Sequence, residues 1–246
     1  MGVVSSKTLF HFTSNFENLV GILKFGYIPR YCMEFNTFSE NEGEGFAIPM
    51  VSFCDIPLTN IRDHIKKYGR YALGMSNEWA REKGLNPVLY LRNSSLLTNH
   101  IFNHYTNMFN GHIDDEEEDD FLLPLREIAG FIKPYEGIFS RKLDDYYNEN
   151  EIFYNEREWR FVPRRSDSKK LPLLSKEEFE ALKSKDANST PILFDHTDIK
   201  YIIVANDSDI EKTIKTLKDA NFSRRGNDLE KLYSLILTME QILDDF

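Results

Sequence analysis

The segment Asn155-Glu156-Arg157-Glu158-Trp159-Arg160-Phe161 constrains this chain more than any other. Read as an extended strand, its side chains alternate between two faces. Glu156, Glu158 and Arg160 share one face, and Arg157, Trp159 and Phe161 the other. Two carboxylates and a guanidinium beside an aromatic face are not what a plain core strand needs. Near the start, Leu9-Phe10-His11-Phe12-Thr13 sets a histidine and a threonine on an otherwise apolar strand. The two segments together predict a polar cleft between strands far apart in sequence.

The 246 residues suffice for one large domain or two small ones, and 41% hydrophobic content supplies a core. Nineteen Phe and twelve Tyr favour strands and packed aromatic clusters. The net charge of -10 argues against a globally basic nucleic-acid binder but leaves room for a local basic groove. Cys32 and Cys54 have neither metal-ligand spacing nor a disulfide framework and read as buried thiols. No signal peptide and no apolar run of membrane-spanning length is present. The expectation is a soluble cytoplasmic protein with no metal and no membrane partner.

Along the chain, Thr8–Phe12 reads as a strand. Ser14 then opens a helix with Glu17 as its capping-box partner; Phe16, Leu19, Val20 and Leu23 form the buried face, and Gly26 is the C-cap. A short strand at Tyr27–Ile28 follows. Glu40–Gly45 reads as a loop, Pro49–Cys54 as a buried strand, Ile61–Tyr68 as a helix and Arg70–Met75 as a strand. Asn77–Lys83 reads as a helix, Val88–Leu91 as a strand, and Ser94–Met108 as a helix carrying His100 and His104. Asp114–Asp120 is an unbroken acidic run, read as a solvated loop insertion spanning about residues 111–121. Leu122–Phe131 reads as helix and Asp144–Asn150 as a loop. Arg164, Arg165, Lys169 and Lys170 form a basic patch. Ile192–Phe194 and Ile199–Ala205 read as strands. Asn206 and Ser208 open a helix, with Ser208 and Glu211 as a capping box and Ile210, Ile214 and Leu217 on its buried face, and a C-terminal amphipathic helix begins at Leu229. Without strict alternation of strand and helix, α+β is favoured over a doubly wound sheet, with split mixed or antiparallel sheets flanked by helices.

Missing motifs narrow the chemistry. There is no G-x-G-x-x-G, no P-loop, no G-x-S-x-G elbow and no H-E-x-x-H. His100 and His104 lack a third ligand in any recognised pattern and read as an ordinary helix pair. His11, on position alone, is a strand histidine satisfied by a backbone carbonyl; Thr13 on the same face and the helix that follows make it a candidate for holding a ribose or phosphate. Glu158 is either half of a salt bridge with Arg160 or Arg157, or a carboxylate that meets positive charge developing on a sugar ring. Glu156 is placed to orient an acceptor or act as a base. Tyr68, Tyr71 and Phe53 are candidates for stacking on a flat ring, though aromatics more often build cores. The Ser52 hydroxyl, inside an apolar strand, needs a partner if it is buried.

The strand Leu9–Thr13, the helix after it and Gly26 resemble the opening of the ADP-ribosyltransferase fold, as found in the DarT toxins and the RNA 2'-phosphotransferases. Met50-Val51-Ser52-Phe53-Cys54-Asp55-Ile56-Pro57, His64, Tyr68-Gly69-Arg70-Tyr71-Ala72-Leu73-Gly74, Asn86-Pro87-Val88-Leu89-Tyr90 and Glu156-Arg157-Glu158-Trp159-Arg160 resemble the AbiGi-type abortive-infection family. The resemblance implies a single ADP-ribosyltransferase-like domain over residues 1–246 that uses NAD as co-substrate. It implies His11 at the NAD ribose with Thr13 behind it, Tyr68 or Tyr71 on nicotinamide, and Ser52 as a polar strand residue of the site. Glu158 would be the catalytic glutamate and Glu156 would position the acceptor.

The expected function is a phage-defence toxin that transfers ADP-ribose to a nucleic acid, RNA favoured over single-stranded DNA. A cognate antitoxin would neutralise it, with a chaperone as a candidate helper. The alternatives are a non-catalytic antitoxin or sensor module on the same scaffold, and an NAD glycohydrolase.

Overall fold

The computed structural model describes residues 6–35, 45–101, 128–141, 146–163, 174–182, 184, 190–220 and 228–245. The expected loops at 40–44 and 111–121, the basic patch from Arg164 to Lys170, His104 and most of the helix expected at 122–131 lie outside these residues. Among the described residues the chain is α+β, with strands β1 (Thr8–Thr13), β2 (Arg30–Phe35), β3 (Gly45–Cys54), β4 (Tyr71–Ser76), β5 (Asn86–Pro87), β6 (Leu89–Leu91), β7 (Ile132–Pro134), β8 (Gly137–Arg141), β9 (Tyr146–Glu151), β10 (Glu158–Phe161), β11 (Leu174–Ser175), β12 (Ile199–Val204) and β13 (Ile236–Thr238). The helices are α1 (Phe16–Phe25), α2 (Arg62–Tyr68), α3 (Asn77–Glu82), α4 (Lys176–Glu180), α5 (Ser208–Asp219), α6 (Leu229–Tyr233) and α7 (Met239–Asp245).

The main sheet runs β13-β12-β4-β1-β3-β10-β5, with β2 and β11 paired to the first half of β3. Alternation along β1 sends Leu9 into a cluster with Leu19, Leu23, Trp79 and Leu217 on the α1, α3 and α5 side. Phe10 and Phe12 go to the opposite face with Ile61, Met239 and Ile242, under α2 and α7. Being covered on both faces explains why β1, β4 and β12 are apolar almost throughout.

One irregularity creates space for a site. β1 follows β4 in register for its whole length, but meets β3 only at Phe10↔Cys54. Beyond that pair β1 and β3 share no further ladder pair, while on its other edge the second half of β3 pairs with β10, Ser52 opposite Arg160 and Cys54 opposite Glu158.

Several expectations are corrected. Asn15, not Ser14, is the N-cap of α1, its side chain accepting from the Asn18 N–H at 2.9 Å; Gly26 does close the helix. Tyr27 makes an isolated bridge to Ile192, and the strand starts at Arg30. Of Ile192–Phe194, only Ile192 is bridged. Residues 146–150, expected as loop, pair with β8 as part of β9; a polar hairpin carries no apolar alternation to betray it. Asn206 opens α5 as expected, but its side chain accepts from the Ser208 N–H and hydroxyl in place of the Ser208–Glu211 capping box. The expected C-terminal helix is broken: Ile236–Thr238 is a strand parallel to β12. There the open edge of β12 overrides the helical period, because an unpaired ladder rewards Ile-Leu-Thr more than another helical turn does. Glu156 is not in the strand. It ends a 3-10 turn (Phe153–Glu156), and Arg157 turns the chain through a left-handed conformation with φ 45° before β10 begins.

Gly69 ties the site-bearing α2 to the sheet. Its N–H caps the Ile65 carbonyl at 2.9 Å and its φ is +102°. A Cβ there would run into the backbone of Thr13 and Ser14. This close approach holds the end of α2, with Lys67 and Tyr68, against the end of β1.

Candidate functional site

Where β1 and β3 part, a cleft of about 310 Å³ opens, lined by residues from β1, β2, β3, α2, β7, β8, the 3-10 turn and β10. His11, Ser52, Tyr68, Glu156 and Glu158 all line it, from four separate segments of the chain. Ser52 joins the two ends of the prediction. Its carbonyl accepts from His11 Nδ1 at 2.8 Å, and its hydroxyl donates to Glu158 Oε1 at 2.7 Å. The imidazole thus reaches across the gap to β3 in place of a ladder donor. Burial lowers the His11 pKa against the opposing effect of that bond, so the ring is neutral. With Nδ1 donating, Nε2 is the acceptor.

Glu158 is held from all sides. Oε1 accepts from Ser52 Oγ and from Arg160 Nε, both at 2.7 Å; Oε2 accepts from Lys133 Nζ at 2.7 Å and Arg160 Nη2 at 3.2 Å. Its backbone N–H donates to the Tyr90 hydroxyl at 2.8 Å. Burial alone would raise its pKa. The Arg160 guanidinium and Lys133 ammonium reverse that and hold the carboxyl well below the usual carboxylate range. Arg160, fully buried, also donates to Glu34 at 2.9 Å and to the Gly130 carbonyl at 3.2 Å.

Glu156 reaches the same centre from the turn. It accepts from Tyr68 Oη at 2.7 Å, Lys133 Nζ at 2.6 Å and Lys67 Nζ at 3.3 Å. Burial and the nearby Glu158 push its pKa up, but Lys133 and Lys67 prevail and lower it. Lys133 is raised well above the ordinary lysine range because the two glutamates outweigh its burial. Lys67 also pairs with Glu151 at 2.6 Å. Three basic side chains, Lys67, Lys133 and Arg160, therefore meet four carboxylates, Glu34, Glu151, Glu156 and Glu158. The cluster carries an excess of negative charge beside an aromatic wall in which Tyr68 packs on His64 and Phe139.

Lone-pair bookkeeping separates the two glutamates. A carboxylate has about four acceptor positions. Those of Glu158 are all taken, whereas Glu156 keeps one open among the described residues.

Two expected residues are not brought to the cleft. Thr13 Oγ1 accepts from Asn18 Nδ2 at 2.8 Å and so fastens β1 to α1. The Tyr71 hydroxyl donates to Asp209 at 2.8 Å and its ring lies by Phe16, on the α1 and α5 side of the sheet. Between the two tyrosines left open by the sequence, Tyr68 lines the cleft. Phe53 lines it too, while packing on His11, Tyr27 and Trp79. The Cys54 thiol is raised well above its normal pKa, by burial first and neighbouring carboxylates next, and so stays protonated; Cys32, expected buried, is exposed. Sequence reasoning missed Lys133, Lys67, Glu34 and Tyr90. A lone lysine in Phe131-Ile132-Lys133-Pro134 was the one local signal. Among the described residues no group of three or more His, Cys, Asp or Glu is arranged to hold a metal, and no helix is long and apolar enough to cross a membrane.

The site makes the fold acid-sensitive. Burial pushes the His64 pKa down to about 4 from 6.5. The unfolded chain therefore takes up a proton at His64 as pH falls below 6.5, while the folded chain takes it up only near 4. Stability present above 6.5 is lost across that window, by about 3 kcal/mol at its lower end. His11 acts in the same direction, and the depressed Glu156 and Glu158 extend the loss to lower pH. Urea midpoints should fall steadily from neutral pH towards pH 4; a flat profile would contradict the buried neutral imidazoles.

Residues 26–205 match the family model described as "Putative abortive phage resistance protein AbiGi, antitoxin". The chain is also 27% identical over 248 residues to the abortive phage resistance protein AbiGi of Lactococcus lactis subsp. cremoris, covering 89% of this chain and 99% of that protein. No solved structure matches.

Proposed function

The chain belongs to the AbiGi family of abortive phage resistance proteins, and from that premise we propose that it is a phage-defence enzyme that binds NAD in the β1/β3 cleft and transfers ADP-ribose to a nucleic acid. The observation that carries this reading is Ser52 holding His11 and Glu158 to one cleft from opposite sides. The cleft lies at the small end of ligand-pocket sizes, about 300–1,000 Å³, and has room for the nicotinamide-ribose half of NAD.

In this reading His11 Nε2 accepts from a ribose hydroxyl, and the Tyr68 and Phe139 wall takes the nicotinamide ring. The bond between ribose C1' and the nicotinamide nitrogen breaks, and nicotinamide leaves neutral with the bonding pair. A carboxylate already ionised and fixed in a water-poor site meets the positive charge left on the sugar without reorganising. Glu158 is that group. The ribose 2'-hydroxyl gains its bond to Glu158 by displacing the Ser52 hydroxyl. Glu156, with an acceptor position open, takes the proton of the attacking acceptor group.

A second reading is favoured by one observation. The acceptor positions of Glu158 are all filled within the protein, as in a structural ion cluster, and the family model is described as an antitoxin. On this view the scaffold binds a partner and turns over nothing.

The purified full chain incubated with labelled NAD and separate pools of RNA, single-stranded DNA and protein decides between them. Label on RNA or DNA supports transfer. Free ADP-ribose alone identifies a glycohydrolase. Intact NAD in every pool, with a folded protein, favours the binding module.

A further inference from the structure

Behind the ion cluster lies a second cavity of about 620 Å³. Glu156 and His64 line both this cavity and the cleft and so stand between them. The chemistry on the far side differs. Asn60, Asn148, Asn150 and Asn155 line it with Tyr154 and Arg157, beside charged groups that are already paired: Lys67 with Glu151 and Glu156, and Asp63 with Lys66.

Asn148 is used within the protein: it donates to Glu151 at 2.8 Å and accepts from the Asn150 N–H. The side-chain amides of Asn150 and Asn155, both exposed, make no hydrogen bond among the described residues. Arg157, turned into the cavity wall by its left-handed backbone, has a buried Nε with no hydrogen-bond partner. Its Nη2 lies 3.9 Å from Asp55, which leaves the guanidinium loosely held. At the rim, Tyr154 is 45% exposed and stacks on Tyr135 with centroids 5.4 Å apart and planes 21° apart. Tyr90, whose hydroxyl holds the Glu158 backbone, meets Tyr154 edge-on at 5.3 Å.

Unpaired side-chain amides with both a donor and an acceptor, a half-exposed tyrosine and a loosely held arginine fit a flat heterocycle carrying a phosphate. Bases are recognised in this way when they are unpaired, by stacking on aromatic rings and by hydrogen bonds to their edges. We propose that the Asn-lined cavity is an acceptor subsite that takes one unpaired nucleobase of a single-stranded nucleic acid, stacked on Tyr154, read by Asn150 and Asn155, with Arg157 at the adjoining phosphate. The acceptor role rests on the transfer reading above; the binding itself does not. The shared wall then has a use: a base seated on one side of Glu156 presents its nucleophile to the carboxylate position left open, while the donor ribose occupies the other side.

The test is strand binding by the full chain in the absence of NAD, followed by fluorescence anisotropy of labelled mixed-sequence single-stranded RNA and DNA, with the same sequences as duplexes. The wild type should bind single strands more tightly than duplexes. Tyr154→Ala should weaken single-strand binding about tenfold, since base stacking on an aromatic ring is worth about 1–3 kcal/mol. Asn155→Ala, at an exposed position, should weaken it by a smaller factor, and Phe25→Ala, exposed on α1, should leave it unchanged. Thermal melts establish that each variant is folded. Wild-type binding that neither Tyr154→Ala nor Asn155→Ala alters, or the absence of wild-type binding to single strands, overturns the proposal. Because no NAD is present, a failure of NAD turnover would sink the transfer reading and leave this result standing.

Discussion

Replacing Arg160 with leucine is expected to remove about 3–5 kcal/mol of stability, the usual cost of stripping one partner from a buried ion pair. Arg160 is fully buried and bonds to Glu158 through two nitrogens, to Glu34 and to the Gly130 carbonyl. Leucine fills part of the volume but leaves Glu158 facing Lys133 alone, with Glu156 competing for the same ammonium. A loss of that size is a large share of the roughly 5–15 kcal/mol that holds a typical domain folded. Urea denaturation reads it directly. The double variant Arg160→Leu, Glu158→Leu should recover part of the loss, because it removes the stranded charge along with its partner. A single variant as stable as the wild type would show that the cluster is not the tight buried network described.

On the transfer reading proposed above, Glu158→Gln should lower NAD turnover by about 10²–10³, the effect typical of losing one preorganised electrostatic group. An amide keeps an oxygen for the Ser52 hydroxyl but turns an N–H towards Lys133, which the carboxylate otherwise neutralises. On that reading the loss appears in kcat rather than KM, because the proposed role acts on charge that develops only as the glycosidic bond breaks. Stability should fall as well, so rates are compared per folded molecule, below the variant's melting temperature. Unchanged turnover in Glu158→Gln would remove Glu158 from the chemistry and place the reaction, if any, elsewhere.

The site was legible in its residues more than in its wiring. His11, Ser52, Tyr68, Glu156 and Glu158 are polar groups or ring-bearing side chains set in or beside apolar strands and helices, and such misfits are visible in a linear sequence. Thr13 looked equivalent to His11 because period-two alternation puts both on one face of β1. The strand's own pattern cannot show that Asn18, one turn into α1, claims the Thr13 hydroxyl. Tyr68 and Tyr71 looked interchangeable for a similar reason. Only the turn at Gly69, closed against the Thr13 and Ser14 backbone, sends them to opposite faces of the sheet.

Lys133 and Arg160 mark the other limit. A buried charge is tolerable only beside its counter-charges, and those counter-charges come from β2, the 3-10 turn and β10. No window of sequence contains them together. The same holds for the C-terminal segment, where Ile236–Thr238 leaves its helical period to pair with β12.

The sequence by itself determined the α+β class, the buried strands at the centre of the sheet and the charged segment that ends in Glu158 and Arg160, because burial periodicity and isolated charges are local signals. Tertiary structure decided that β1 and β3 part after a single ladder pair, that Ser52 links His11 to Glu158 across the gap, and that Glu156 and His64 stand between two cavities. Those are distances between segments up to 106 residues apart, set by strand order and packing, and nothing in the neighbouring residues encodes them.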